Sequence, residues 1–158
     1  MSTTLEALHG RRSIRQFNPR EVSREEVETM LSAAVAAPNH RLTQPWRFYV
    51  LGAEARHGYG LALGNRKAKK IEDPAAADSM RNKVAAEHQA LPLMIAVAVV
   101  DDANPESQDE NVAATMMAVQ NIALAAVTLG LGTHIKTGAI MNDPAARAAA
   151  GVPEGQRV

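Results

Sequence analysis

The apolar stretch of residues 112–131 restricts the possible folds of this chain more than any other feature of the sequence. The spacing Ser107-Gln-Asp-Glu110 before it is that of a capping box, and Gly130 lies at its end. We therefore predict one long helix from that box to about Leu129. A helix that is apolar almost all round must be buried on every side. A short chain has little else to cover it, so the pattern favours a second subunit over a helix sandwiched within one subunit.

Composition narrows the functional classes. The chain has 158 residues, 17 Lys+Arg, 17 Asp+Glu and no cysteine, so we expect one domain over residues 1–158. Without cysteine there are no disulfides, thiolate nucleophiles or Cys-based metal centres, which fits the reducing cytoplasm. The zero net charge argues against nucleic-acid or anionic-membrane partners. The polar residues within 112–131 disfavour a membrane span, and the N-terminus lacks the features of a secretory leader.

Other patterns predict the remaining elements. The spacing Ser23-Arg-Glu-Glu26 is a second capping box, and it begins a helix that Pro38 ends. Residues 93–100 are a continuous apolar run, which predicts a central strand buried on both faces. Further helices are predicted at 4–10, 53–64, 78–91 and 143–150, further strands at 45–51 and 133–136, and a surface loop at 65–77.

Three segments carry candidate binding groups. Arg11, Arg12 and Arg15 surround Ser13, and guanidinium groups with a hydroxyl suit a phosphate dianion. A solvated basic loop explains their charge equally well. The polar loop before Trp46 could contact an aromatic heterocycle through Asn39 and His40, although a turn anchored by a buried Trp46 is the simpler interpretation. Lys136, at a predicted strand end, could neutralise an anion or be solvated.

Metal and nucleophile chemistry have no support in the sequence. The histidines, at positions 9, 40, 57, 88 and 134, lack paired metal-ligand spacing. No nucleophile-elbow, P-loop or dinucleotide motif occurs. We therefore expect neither a metal site nor a catalytic side-chain nucleophile.

Taken together, the motifs resemble the nitroreductase family of FMN-dependent oxidoreductases, in particular the small bacterial NAD(P)H nitroreductases. The matching segments are Arg11–Phe17, Ala37–His40 with Gln44–Phe48, and Asn111–Gly138. They occur in the family's order, and the resemblance covers nearly the whole chain. It implies an α+β, nitroreductase-like fold: a central mixed sheet flanked by helices, with a long buried central helix. It also implies a homodimer with two FMN sites at the dimer interface.

Site residues follow from the resemblance by position. The residues expected to hold the FMN phosphate and ribityl chain are Arg11, Arg12, Ser13 and Arg15. Asn39 and His40, with Leu42, would reach the flavin from the partner subunit, and Ile135, Lys136 and Thr137 would complete the pocket. Residues 125–130 are expected near the nicotinamide. Lys136 or Arg15 is expected near the flavin edge that gathers negative charge on reduction.

The resemblance implies chemistry in two half-reactions, in which NAD(P)H reduces the flavin and a nitroaromatic or quinone-like acceptor reoxidises it. The family continues past the position of Val158 into a further strand and a tail that embraces the partner. If the natural chain ends at Val158, we expect an unpaired sheet edge, a weakened dimer and impaired FMN binding and activity. Two alternatives stay open: a truncated, non-catalytic flavin-binding or interaction protein with the same fold, and a phosphoanion-binding module that holds no flavin.

Overall fold

The computed structural model describes residues 4–158, which form two compact units. Unit 1 contains the described residues up to Arg47 together with Val97–Lys136, and unit 2 contains Phe48–Ala96 and Thr137–Val158. The single domain expected from the sequence stays a prediction.

Helices predominate among the described residues, with one small sheet. The elements in chain order are α1 (Thr4–Gly10), α2 (Arg24–Val35), a 3-10 turn (His40–Leu42), β1 (Trp46–Val50), α3 (Ala53–Ala68), α4 (Pro74–Gln89), β2 (Ile95–Val100), α5 (Pro105–Thr128), a second 3-10 turn (Ala139–Asn142), α6 (Pro144–Ala150) and β3 (Gln156–Arg157).

The predicted capping box of α2 is confirmed. The Ser23 hydroxyl accepts a hydrogen bond from the Glu26 N–H at 3.2 Å, and the Glu26 carboxylate accepts one from the Ser23 N–H at 2.8 Å. Arg20 also donates to this carboxylate, at 2.6 Å. The bonds from Arg20 and from the Ser23 N–H lower the pKa of the Glu26 carboxyl below its usual value, because they stabilise its charged form.

The long helix α5 begins earlier than predicted. Asn104 caps it by accepting from the N–H groups of Glu106 and Ser107, and Pro105 occupies its first turn. The predicted start at the Ser107 capping box was therefore wrong. An amide cap followed by proline is already preorganised for a helix N-terminus, so Ser107 lies within the first turn instead. The predicted end near Leu129 is confirmed, and Gly130 adopts a left-handed φ of 73°.

One face of α5 packs against α2 and α1 within unit 1. Its buried alanines include Ala114, Ala118 and Ala126. Met116 and Met117 are 50% and 41% exposed. By length and composition α5 could also cross a membrane, with a mean hydropathy of 1.3. Of the apolar window of α5, 33% is buried inside the structure.

The predicted surface loop at residues 65–77 is shorter in the structure and comprises residues 69–73. Helix α3 continues to Ala68, and α4 begins at Pro74, where the Asp73 carboxylate accepts from the N–H groups of Ala75 and Ala76. The two helices pack closely, because a Cβ at Gly60 would lie 2.7 Å from the Cα of Ala85. Tertiary packing of this helix pair therefore extends both helices into the stretch whose basic residues indicated a loop.

The sheet has the strand order β1-β2-β3, which confirms that β2 is central. The predicted burial on both faces is met at Ala98 and Val99, whereas the other four residues of β2 are half-buried. Backbone bonds from Leu51 N–H to the Met94 carbonyl and from Val100 N–H to the Pro45 carbonyl, both 2.9 Å, make β1 and β2 antiparallel. The predicted strand at 133–136 is reduced to a single parallel bridge at Thr133. Strands β1 and β2 of the sheet are therefore antiparallel, whereas the isolated bridge between Ser13 and Thr133 is parallel.

Candidate functional site

Unit 1 brings two of the motifs together, although they are far apart in the sequence. Ser13 forms a parallel bridge with Thr133, and the Ile14 N–H donates to the Thr133 carbonyl at 2.8 Å. A Cβ on Gly132 would lie only 2.7 Å from Cγ1 of Ile14. The arginine segment can therefore lie against the chain that follows α5 because position 132 has no side chain.

The three predicted arginines have different surroundings. Nη1 of Arg12 donates to the carbonyl oxygens of His9 and Arg11, at 2.6 and 2.9 Å. The guanidinium groups of Arg11 and Arg15 have no acceptor within the described part of the chain, and both Ser13 and Arg15 are exposed. Two guanidinium groups and a hydroxyl are therefore available on this segment, while Arg12 helps to hold the backbone at the end of α1.

The residues predicted to complete the pocket follow the bridge directly. Ile135 and Lys136 are exposed and lie two and three residues beyond Thr133. Because parallel strands advance in the same direction, Arg15 and Lys136 both lie beyond the bridge at its same end. Thr137 is exposed and is the next residue along the chain. Of residues 125–130, the first four form the last turn of α5, Leu129 is its C-cap and Gly130 follows the cap.

Residues 39–44, which we call the strained loop, are organised around Asn39. Its Oδ1 accepts from the Gln44 N–H at 2.6 Å, and its Nδ2 donates to the Thr43 hydroxyl oxygen at 3.1 Å and the His40 carbonyl at 3.3 Å. The Thr43 hydroxyl in turn donates to Oδ1 of Asn111 on α5, at 2.7 Å. Neither Thr43 nor the Asn111 side chain is among the site residues predicted from the sequence. The one available signal was an amide at position 111, immediately before the apolar run.

The backbone of this loop is unusual. Arg41, Leu42 and Gln44 have φ values of 59°, 53° and 45°, which place all three in the left-handed region. That conformation costs a residue with a side chain about 1–2 kcal/mol. The strained loop leaves His40 exposed and Leu42 80% exposed. Trp46, directly after the loop, is buried, as the turn interpretation predicted.

A buried polar row continues along α5 from Asn111. Gln108, Asn111 and Thr115 share one face of the helix, and all three are buried. Oε1 of Gln108 accepts from the Asp102 N–H at 2.6 Å, while its Nε2 and the Thr115 hydroxyl have no hydrogen-bond partner among residues 4–158. In those same residues no cluster of three or more His, Asp or Glu side chains could hold a metal ion.

These observations define a small α+β protein with a cationic segment suited to a phosphate-bearing ligand. The chain belongs to the nitroreductase family, whose model matches residues 8–158. This match and the structural relatives confirm the family resemblance and the nitroreductase-like fold predicted from the sequence.

Relatives agree with this assignment. The Bacillus subtilis protein YfhC, which carries the name of an NAD(P)H nitroreductase, is 30% identical over 99% of this chain and 80% of its own length. A nitroreductase-like family protein from Bacillus cereus has a TM-score of 0.82 at 28% identity, covering 99% of this chain and 81% of that one. A Desulfovibrio desulfuricans nitroreductase in complex with FMN has a TM-score of 0.64 at 30% identity, covering 90% and 72%.

Proposed function

We propose that this chain is an FMN-dependent oxidoreductase that takes electrons from NAD(P)H and passes them to small nitroaromatic or quinone-like acceptors. Family membership and the FMN complex of the Desulfovibrio relative support the cofactor, and the name of YfhC supports the electron donor. The observation that carries the proposal is the parallel pairing of Ser13 with Thr133, because it joins the arginine segment to the chain that leads to Lys136.

The donor groups present fit the phosphate of FMN. The guanidinium groups of Arg11 and Arg15 have no acceptor in the described chain, and Ser13 adds an exposed hydroxyl. Planar guanidinium groups bind phosphate oxygens through paired, charge-assisted hydrogen bonds. Arg12 would contribute mainly by fixing the segment, since one of its nitrogens already donates to two carbonyl oxygens.

When bound, FMN supplies the hydride chemistry, and the protein supplies position and electrostatics. In our proposal Arg11, Ser13 and Arg15 hold the phosphate end. Lys136 or Arg15 would stabilise the negative charge that develops on reduction. Asn39, His40, Ile135 and Thr137 would line the ring, as expected by position. No side-chain nucleophile would be needed, and NAD(P)H and the acceptor would use the same site in turn.

We also propose that the protein is a cytoplasmic homodimer. Exposed large apolar side chains are concentrated in unit 1, on α1, on α5 and in the strained loop: Leu5, Leu8, Met116, Met117 and Leu42. A second copy would cover such a surface at low cost. The lack of cysteine fits a reducing compartment.

A spectroscopic experiment tests the function. The purified protein is reconstituted with FMN and titrated anaerobically with NADPH and with NADH while flavin absorption is recorded. We expect bound, yellow flavin that at least one nicotinamide bleaches, and recovery of the colour on addition of a nitroaromatic or quinone. A yellow protein that neither nicotinamide bleaches would identify the non-catalytic alternative. A protein that binds phosphate but no flavin would identify the anion-binding one.

A further inference from the structure

We propose that Thr43 and Asn111 are positioning residues, which hold the strained loop in the conformation that presents His40 and Leu42 to the cofactor. The inference rests on the proposed function for the identity of the ligand. The anchoring of the loop rests on the geometry of unit 1 alone.

The connection is a continuous chain of hydrogen bonds from loop to helix. Nδ2 of Asn39 donates to the Thr43 hydroxyl oxygen at 3.1 Å, and that hydroxyl donates its own proton to Oδ1 of Asn111 at 2.7 Å. A hydroxyl can donate once and accept at the same time, so Thr43 suits this central place. The chain joins positions 39 and 111, which only tertiary structure brings together.

The strained loop needs this connection because its backbone conformation is unfavourable by itself. Arg41, Leu42 and Gln44 all have positive φ values, and Leu42 is largely exposed, so burial does not hold it in place. Strained conformations persist only where the surrounding structure over-determines them. Within unit 1 the side-chain hydrogen bonds of Asn39 and Thr43 hold the loop in this conformation.

Asn111 provides a rigid anchor. It is buried on α5, the helix that packs against α2 within unit 1. A buried amide oxygen without a hydrogen-bond donor costs free energy, so the structure favours keeping the bond from the Thr43 hydroxyl to Oδ1 of Asn111. The helix thereby sets the position of the two exposed side chains, His40 and Leu42, which we expect at the flavin.

Two substitutions separate the hydroxyl from the shape of the side chain. Thr43→Val removes the hydroxyl and keeps the shape, and Thr43→Ser keeps the hydroxyl. Thr29→Val is the matched control, because the Thr29 hydroxyl bonds only within α2, to the Glu25 carbonyl. The first measurement is the rate of tryptic cleavage after Arg41 in cofactor-free protein, followed by mass spectrometry. The second is FMN affinity from flavin fluorescence.

We expect Thr43→Val to be cleaved roughly tenfold faster after Arg41 and to bind FMN roughly tenfold more weakly, the factor that corresponds to one hydrogen bond. Thr43→Ser should restore both values to within about twofold, and Thr29→Val should leave both unchanged. If Thr43→Val fails to fold, Asn39→Asp provides the cleavage test, because it keeps the acceptor for the Gln44 N–H and loses the donor to Thr43.

The outcomes distinguish this inference from the proposed function. Unchanged cleavage in Thr43→Val, or an equal change in Thr29→Val, would overturn the anchoring. Faster cleavage with unchanged FMN affinity would overturn the positioning role. Faster cleavage restored by Thr43→Ser, in a protein whose unsubstituted form binds no FMN, would support the anchoring while refuting the flavin function.

Discussion

The arginines at positions 11, 12 and 15 show how neighbouring residues of one type acquire different roles. Arg12 donates to two backbone carbonyls at the end of α1, whereas Arg11 and Arg15 have no acceptor in the part of the chain described here. From their charge alone, the three arginines were equally good candidates for binding a phosphate. Their environments identify Arg11 and Arg15 as the better candidates for a phosphate ligand.

A substitution experiment at this scale compares FMN with riboflavin, which lacks the phosphate. We expect Arg11→Ala and Arg15→Ala each to weaken FMN binding by roughly tenfold or more, since each removes charge-assisted hydrogen bonds to the phosphate. Riboflavin binding, measured by the same fluorescence titration, should change little. Arg24→Ala is the control, because Arg24 pairs with Glu28 on α2. An equal loss of affinity for both flavins would contradict the assignment.

Helix α2 illustrates how a local pattern specifies an element. Its capping box satisfies the backbone N–H groups of both Ser23 and Glu26, and the salt bridge from Arg20 adds to it. All of these contacts lie within seven residues. The pattern was therefore sufficient to predict where the helix begins.

The capping box also predicts a pH dependence. The pKa of Glu26 is lowered in the folded state, so its stabilising contribution is present above the unfolded pKa, near 4.5, and is lost as pH falls through the lower folded pKa. Glu26→Gln should therefore lower Tm at pH 7, and the difference from the unsubstituted protein should shrink below about pH 4. Thermal melts across this range give the measurement. Glu25→Gln changes the same charge in the same turn, and a similar loss there would refute the specific role of Glu26.

Over the whole molecule, the exposed apolar side chains are unevenly distributed. Of the ten large ones that are exposed among residues 4–158, nine belong to unit 1 and only Val50 to unit 2. Isolated exposed residues need no explanation, but a concentration of them indicates an interaction surface. The surface includes part of α5, which the sequence predicted to be covered by a second subunit.

Dimerisation can be tested at this surface by sedimentation velocity over a range of concentrations. We expect a dimer for the unsubstituted chain and a dissociation constant raised at least roughly tenfold in Met116→Glu, because a charge would be buried against the second copy. Val50→Glu is the control, as Val50 has nearly the same exposure, 51% against 50%. A monomer at all concentrations, or equal effects of both substitutions, would contradict the proposed dimer.

The sequence by itself determined the features that depend on neighbouring residues. These are the capping box of α2, the apolar run of β2, the long helix α5, the short helices α1 and α6, and the motifs that indicated the family. It misplaced the start of α5 and interpreted residues 65–77 as a loop. At the start of α5, a side-chain cap followed by a proline begins the helix before the predicted capping box. At residues 65–77, the same kind of cap on α4 and the close packing of α3 and α4 at Gly60 outweigh the local charge pattern.

Only the tertiary structure decided how distant residues combine. It placed Ile14 in the space that Gly132 leaves, separated the role of Arg12 from those of its neighbours, and joined Thr43 to Asn111 across 68 positions. The physical reason is one of range. Caps and periodicity act over a few residues and are written in the local sequence, whereas close approaches and buried hydrogen bonds exist only once the chain has folded.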